Sequence, residues 1–418
     1  MELVVEQSCP SCGAPIVLHE ADRLVSCPYC DVNHYMVGGG ALRFLLRAGC
    51  PAGIGAEDLV YLPFIRFKGC IYQCQGNEVR HAIIDTTRIA LRGDRLPISL
   101  GLRPQAMQLV QATAAIGGRF VPRQVKLEGI FSQAVRMTAL FRPEKTGQVR
   151  HRAFIGETVS RVYLPVFEKD DMVVDAVTHR EIMRKGSDWD EIAATAVPFR
   201  RHWEPKFLST LCPRCGAPLH GEPDALVLQC RNCETMWEES DGRFSALEWG
   251  RVPGASDADL EVPFWKIAVR QDAGSPLLHT FADFLRLTGQ PVVIRAEDES
   301  RPLSFWVPAF KLQPAAFLQT AHYLTVSQKR IADGEPGPLP AAYPVNLPRR
   351  EAVEALKSVL AEAALTRKQL FPLLPSLDLQ AASATLVYLP FRDAGHDLIE
   401  RQTSVTIAAA TLRFGRRL

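Results

Sequence analysis

The sequence has no long apolar run and no basic leader. A membrane-spanning helix needs about 18 or more consecutive apolar residues. The longest stretch without Asp, Glu, Lys or Arg, residues 312–328, is interrupted by Gln313, Gln319 and His322. Acidic residues stand near the start, where a secretory signal would carry basic ones. We therefore expect a soluble, cytoplasmic protein without a transmembrane segment.

An excess of positive charge is also missing. The 418 residues include 48 Lys plus Arg and 46 Asp plus Glu, a formal net charge of +2. Non-specific binding to nucleic acid depends on cations that neutralise phosphates, so only a local basic patch could support it. With 47% hydrophobic and 22% charged residues, the chain has the composition of a globular protein of several domains.

Catalytic signatures are absent as well. Gly38-Gly39-Gly40 lacks the Lys-Ser/Thr that follows in a phosphate-binding loop. The sequence contains neither a G-x-S-x-G nucleophile turn nor an H-E-x-x-H zinc helix. These absences favour a non-catalytic role.

The chain does have cysteines in a regular pattern. Eight of the eleven form two clusters with the spacing C-x2-C-x14-C-x2-C, separated by a constant offset of 203 residues. In a protein that is not secreted, such cysteines indicate metal binding rather than disulfides. Two C-x2-C turns can direct four thiolates at one ion. The predicted metal ligands are Cys9, Cys12, Cys27, Cys30, Cys212, Cys215, Cys230 and Cys233.

The residues around the first pair of each cluster are also alike. Residues 10–15 read PSCGAP and residues 213–218 read PRCGAP. Both resemble the knuckles of zinc ribbons, and the resemblance covers about 30 residues in each copy. It implies one structural zinc ion per ribbon, hence two per chain, but no particular task.

Three details of the ribbons can be predicted from this resemblance. Gly13 and Gly216 are expected at positive φ, where glycine is favoured. Residues 24–26 and 226–228 are expected as strands that lead into the second knuckle. Tyr35 and Trp237 would shield the sites, and His34 is expected at a surface position beside the first one.

Iron is the alternative metal, because rubredoxin-like sites also use two C-x2-C knuckles. Such sites usually have Gly after both cysteine pairs, whereas Asp31 and Glu234 follow the second pairs here. Zinc is therefore favoured, and a rubredoxin-like iron electron carrier stays as an alternative. A catalytic zinc would keep an open position, which four thiolates do not leave.

Three cysteines lie outside the clusters, Cys50, Cys70 and Cys74. We interpret them as buried free thiols that pack as small hydrophobic side chains. A third metal site or a redox pair is the alternative.

A proline-centred motif recurs along the chain. The hexapeptide LVYLPF occurs at residues 59–64 and again at 386–391, with looser variants at 162–167, 260–265 and 305–310. Because proline cannot donate to a β-ladder, we expect these prolines on edge strands, at bulges or at strand ends. The motif is either a structural corner, which we favour, or an edge that binds a peptide or a sister subunit. Its candidate interaction residues are Tyr61, Pro63, Phe64, Pro263, Phe264, Trp265, Tyr388, Pro390 and Phe391.

These repeats predict a tandem duplication. The expected fold class is α+β, with two halves that each contain a small zinc ribbon followed by a β-rich antiparallel body and a few helices. Helices should begin near Pro104 and Pro314. The predicted boundaries are ribbon 1 at 1–37, body 1 at 38–200, ribbon 2 at 205–245, body 2 at 246–335, a Pro-rich linker at 336–349, and a helix with C-terminal strands at 350–418.

Basic and aromatic residues alternate at 64–68 and at 199–203. The second run is the better candidate for nucleic-acid contact, through Arg200, Arg201 and Trp203, because Arg neutralises phosphate and Trp can stack on a base.

The leading hypothesis is a non-catalytic zinc-binding assembly or adaptor protein that binds a protein partner or itself. A nucleic-acid-binding zinc-ribbon protein is the second hypothesis. A zinc ion with four thiolates carries a net charge of about −2, so filled sites would make the chain slightly acidic and favour a protein partner further.

Overall fold

A computed structural model describes residues 4–37, 43–93, 95–107, 109–113, 115–125, 147–200, 203, 205–253, 259–270, 278–339 and 341–416. The fold is mixed α+β, and the chain divides into two compact units. Unit 1 comprises Met1–Lys68, Asp85–Thr138 and Thr158–Ser209, and unit 2 comprises Gly69–Ile84, Ala139–Glu157 and Thr210–Leu418. Among the described residues, none of the helices has the length and apolar character needed to cross a membrane.

The described strands are β1 (Val4–Ser8), β2 (Pro15–His19), β3 (Leu24–Ser26), β4 (Asn33–Met36), β5 (Arg43–Leu46), β6 (Val60–Gln75), β7 (Glu78–Ile89), β8 (Leu109–Gln111), β9 (Arg119–Phe120), β10 (Val149–Lys169), β11 (Met172–Asp175), β12 (Glu181–Arg184), β13 (Phe207–Ser209), β14 (Leu219–His220), β15 (Val227–Cys230), β16 (Met236–Ser240), β17 (Arg243–Leu247), β18 (Trp249–Arg251), β19 (Leu260–Arg270), β20 (Ser304–Pro308), β21 (Gln380–Asp393), β22 (Asp397–Glu400) and β23 (Thr406–Ala408). The described α-helices are α1 (Arg103–Ala106), α2 (Ser187–Ala194), α3 (Phe281–Thr288), α4 (Ala296–Ser300), α5 (Pro314–Val326), α6 (Arg349–Glu354), α7 (Leu356–Ala363), α8 (Arg367–Leu370) and α9 (Ala409–Gly415).

Two large sheets follow the two cysteine clusters. In the first sheet the strands pair in the order β7, β6, β10, β11, β12, with β5 parallel to β10 and β9 parallel to β6. In the second they pair in the order β20, β19, β21, β22, β23, with β18 parallel to β21. A helix follows the last strand of each sheet in the chain: α2 follows β12, and α9 follows β23.

The expectation of antiparallel bodies is corrected by the three parallel pairs. β5 and β18 follow the cysteine clusters closely in sequence, and their partners β10 and β21 come more than a hundred residues later. A long connection of this kind permits a parallel pair, whereas a short hairpin does not. Both large sheets are therefore mixed.

Four of the five motif prolines lie in interior strands, so the expectation of edge strands is wrong for them, whereas Pro308 ends the edge strand β20, as predicted. β19 has a neighbour on each side, and Pro263 pairs with Tyr388 of β21. The Tyr388 carbonyl accepts from Val252 on its other side, so the polar backbone atoms of Pro263 face β20. There β20 ends at Pro308, opposite Phe264. The Ala309 amide donates to Pro263 O, and Ala309 O accepts from the amides of Asn346 and Leu347, so the missing N–H of Pro263 leaves that carbonyl satisfied.

Helices begin where the prolines predict. Pro314 is the first residue of α5, and Pro104 is the second residue of α1. The apolar face of α5 includes Phe317, Ala321 and Leu324, which are buried in the core of unit 2. The spacing of these three residues is typical of a helix with one buried face.

Two of the unpaired cysteines are core residues, as predicted. Cys70 and Cys74 are buried in the core of unit 2 with Tyr72, whose ring contacts Phe317 at 5.8 Å between centroids. Burial raises the pKa of both thiols to about 12. Cys50 is exposed, so the prediction of three buried thiols is wrong for this one.

This distribution predicts one reactive thiol in the metal-loaded chain. Labelling with a thiol-specific reagent under native conditions should modify Cys50 quickly, because metal would bind the eight clustered sulfurs and Cys70 and Cys74 are buried. Fast loss of two or three thiols per chain would contradict the placement of Cys70 and Cys74. The Cys50→Ser variant should show no fast phase.

Candidate metal centres

The first cysteine cluster is built from two short hairpins. β1 pairs with β2, and β3 pairs with β4, whose other edge pairs with β13. The first knuckle is closed by hydrogen bonds from the Cys9 amide to Ala14 O, at 2.8 Å, and from the Gly13 amide to Cys9 O, at 2.9 Å. Gly13 has φ of 76°, as predicted. The turn therefore directs both sulfurs of the knuckle to one side.

The second cluster repeats this local geometry. The Cys212 amide donates to Ala217 O and the Gly216 amide to Cys212 O, both at 2.8 Å, and Gly216 also has φ of 76°. The second knuckles turn in the same way without glycine. Asp31 has φ of 56° and Glu234 has φ of 54°.

The four sulfurs of each cluster lie within 4.8 Å of one another. In the first, Cys9 Sγ is 3.9 Å from Cys30 Sγ and Cys12 Sγ is 3.6 Å from Cys27 Sγ. In the second, the corresponding distances are 3.6 Å and 3.4 Å. Four sulfurs around a zinc ion at about 2.3 Å would be about 3.8 Å apart, whereas a disulfide needs about 2.05 Å. Each cluster therefore fits one metal ion.

Nearby N–H groups favour thiolates in both clusters. The backbone N–H of Cys12, followed by that of Ser11, lowers the pKa of Cys9 to about 6, against the effect of burial. The side chain of Asn232 and the backbone N–H of Ala217 lower the pKa of Cys215 to about 6. Metal ligands of this kind must be deprotonated. The thiolate is therefore favoured at Cys9 and Cys215. At Cys30 the backbone N–H of Val32 is outweighed by burial together with the neighbouring cysteine side chains, which raise the pKa to about 12, and burial raises that of Cys230 to about 12.

His34 is buried, not at the surface as predicted. It is 8% exposed, and its Nε2 lies 3.1 Å from Ser11 Oγ and 3.9 Å from Cys9 Sγ. His34 pairs with Val25 as Trp237 pairs with Leu228 in the second cluster. His34 therefore lies against the first cluster, and Trp237 has the same register position beside the second, 203 residues later in the sequence.

A buried ion pair fixes the first ribbon to the sheet of unit 1. Glu20, in the turn between β2 and β3, binds Arg66 of β6 at 2.7 Å, and Arg66 also binds Asp85 of β7 at 2.7 Å. The Arg66 side chain is 0% exposed. Ser160 of β10 donates to the other oxygen of Glu20. These four side chains join the ribbon to three strands.

The second ribbon has a comparable anchor in unit 2. Asp224, between β14 and β15, accepts from Arg416 at 2.6 Å and from the side-chain amide of Asn346 at 2.7 Å. Sequence reasoning missed both anchors. The available signal was an acidic residue in the same loop of each ribbon, at positions 20 and 224.

The left-handed turns give a direct stability prediction. Gly13→Ala should destabilise the metal-loaded chain by about 1 kcal/mol, because alanine resists positive φ. A Cβ at this position would meet no atom within 4 Å, so the cost is one of backbone conformation alone. Gly337→Ala is the matched control, since it is also unobstructed and Gly337 does not have a left-handed φ. Equal urea midpoints for the two variants would contradict the prediction.

The aromatic residues of the proline-centred motif all lie in cores. Tyr61 and Phe64 are buried in unit 1, and Phe264, Trp265, Tyr388 and Phe391 in unit 2. Their prolines, Pro63, Pro263 and Pro390, lie inside β6, β19 and β21. Their burial favours the structural role for the motif.

The nucleic-acid candidates are in mixed surroundings. Arg200 is exposed, and Arg201 lies outside the described residues. The Trp203 ring packs edge-on against Phe120 and Phe199, and the guanidinium carbon of Arg43 lies 4.9 Å from its centroid. Trp203 thus takes part in an aromatic cluster of unit 1.

The two four-cysteine clusters are the candidate metal-binding sites of the described residues. Each could hold one metal ion through four sulfurs. Comparisons with protein-family models, with curated proteins and with solved structures found no match.

Proposed function

We propose that the chain is a non-catalytic zinc-binding assembly or adaptor protein. Four thiolates per cluster leave no position for water or substrate, which is typical of structural zinc. The left-handed Asp31 and Glu234 stand where rubredoxin-like sites usually have glycine. Zinc would cross-link knuckles in segments too short to fold without it.

We also infer that the chain consists of two tandem halves, each with a ribbon and a body. The support is that both large sheets have the same pairing order, including a parallel strand that follows directly after each ribbon. The strand register supports the same inference. Leu45 pairs with Tyr163 in the first sheet, and Arg251 pairs with Tyr388 in the second. The two tyrosines belong to copies of the same sequence motif.

The observation that carries a partner-binding role is the exposure of three apolar side chains on ribbon 1. Tyr29, at the tip of the second knuckle, is 68% exposed, Val17 is 58% exposed and Val32 is 40% exposed. Asn232, His220 and Thr235 occupy the corresponding positions of ribbon 2. Exposed apolar side chains are typical of protein-binding surfaces, and ribbon 2 has polar residues at all three positions.

The test is affinity capture and native mass spectrometry of the zinc-loaded chain, with Tyr29→Asn as the matched variant. Asparagine occurs at this position in ribbon 2, so the variant should keep both metal ions. We expect a stable partner or a self-associated form that weakens at least tenfold in the variant. A wild-type chain that stays monomeric and captures nothing would refute the adaptor role.

A further inference from the structure

Two arginines stand side by side in the large sheet of unit 1. Arg43 of β5 and Arg161 of β10 are direct register partners in a parallel pair. Paired residues on neighbouring strands project from the same face, so the two guanidinium groups are neighbours. Leu45 and Tyr163, two residues further along, share that face and are buried in one hydrophobic cluster.

The arrangement is electrostatically unfavourable as it stands. Like charges opposite each other on adjacent strands destabilise a sheet. Burial and then the charge of Arg161 lower the pKa of Arg43, and burial and the charge of Arg123 lower that of Arg161. The Tyr163 hydroxyl, which hydrogen-bonds both guanidinium groups, opposes these shifts in part. Three cationic side chains therefore act on one another at a partly buried place.

No carboxylate offsets this charge within the part of the chain that the structure describes. None of the three arginines takes part in an ion pair there. Arg43 Nη1 donates to the Trp203 carbonyl at 3.0 Å, and its buried Nε has no hydrogen-bond partner. Arg123 is exposed, which leaves one side of the cluster open to solvent.

The second large sheet has uncharged residues at the corresponding pair of positions. There the equivalent register pair is Trp249 with Leu386, two apolar residues. Their side chains are buried in the core of unit 2. The fold therefore does not require arginine at this pair, and the cationic pair is a feature of unit 1 alone.

We propose that Arg43, Arg161 and Arg123 form a binding site for a phosphoryl group. Guanidinium forks match phosphate oxygens in pairs, and several of them around one dianion replace mutual repulsion by attraction. The phosphoryl group could belong to a small phosphorylated molecule or to a nucleic-acid backbone. The site is independent of the zinc clusters and of the adaptor role.

The experiment is thermal unfolding of the zinc-loaded full chain in sodium pyrophosphate and in sodium chloride at equal ionic strength. At a hundredfold excess over the dissociation constant, pyrophosphate should raise the wild-type melting temperature by about 3 °C. Arg161→Leu, which installs the residue found in the other sheet, should melt in chloride at the wild-type temperature or above it, and should lose the pyrophosphate shift. No shift in the wild type, or an equal shift in Arg161→Leu, would overturn the proposal.

Two further variants keep the test independent of folding. Arg123→Ala changes an exposed residue and should weaken pyrophosphate binding at least fivefold in calorimetric titration. Arg184→Leu is the control, an exposed arginine on β12 of the same sheet, and should bind as the wild type does. A short single-stranded oligonucleotide distinguishes the sources, since retention that depends on Arg161 assigns the phosphoryl group to nucleic acid. Binding of pyrophosphate alone assigns it to a small molecule.

Discussion

Cys27→Ser is expected to remove one metal ion per chain and leave the other in place. Serine cannot supply the thiolate, and three sulfurs bind zinc far more weakly than four. Structural zinc contributes on the order of 10 kcal/mol to the folding of small modules, so ribbon 1 should unfold locally. Hydrogen exchange would show lost protection in β1 to β4, and elemental analysis would show one zinc ion instead of two.

The reciprocal variant, Cys230→Ser, should unfold ribbon 2 and retain the first metal ion. Cys50→Ser is the matched control, because Cys50 is exposed and lies outside both clusters, and it should keep both ions. If a single cluster variant lost both metals, or if Cys50→Ser lost one, the assignment of two independent four-cysteine sites would be wrong.

Glu20→Ala is expected to lower the free energy of unfolding by about 3–5 kcal/mol. Removing one partner of a buried ion pair leaves an uncompensated charge in the interior. Arg66 is fully buried, and Asp85 would remain its only ionic partner among the described residues. Urea titration of the zinc-loaded chain measures the loss.

A surface pair provides the control for this prediction. Glu78 binds Arg80 at 2.9 Å, but the Glu78 side chain is 63% exposed, so Glu78→Ala should cost less than about 1 kcal/mol. A double-mutant cycle of Glu20 with Asp85 should show strong coupling through Arg66. Equal losses for Glu20→Ala and Glu78→Ala would contradict the anchoring role of the buried pair.

The geometry of the two four-cysteine clusters could be predicted from the sequence because it depends on local spacing. Two residues between cysteines, followed by glycine, determine a turn, and the turn directs the sulfurs. Gly13 and Gly216 have the predicted φ for this reason. The second cysteine pairs are not followed by glycine, so the sequence does not predict the left-handed conformation that Asp31 and Glu234 adopt.

Long-range pairing could not be predicted in the same way. The parallel pairs of β5 with β10 and of β18 with β21 join strands far apart in sequence, and no local pattern records them. The placement of Pro263 depends on where a neighbouring strand ends, which is likewise a tertiary property. The buried partners of Arg66 and the register pair of Arg43 with Arg161 likewise join residues far apart in sequence, so they depend on the same tertiary pairing.

Counting metal in the purified wild-type chain tests the central claim most directly. We predict two zinc ions per chain by elemental analysis and a colourless protein, since zinc thiolate sites do not absorb visible light. Iron in either site, seen as visible thiolate-to-iron absorption, or a chain that folds with neither cluster occupied, would contradict the account.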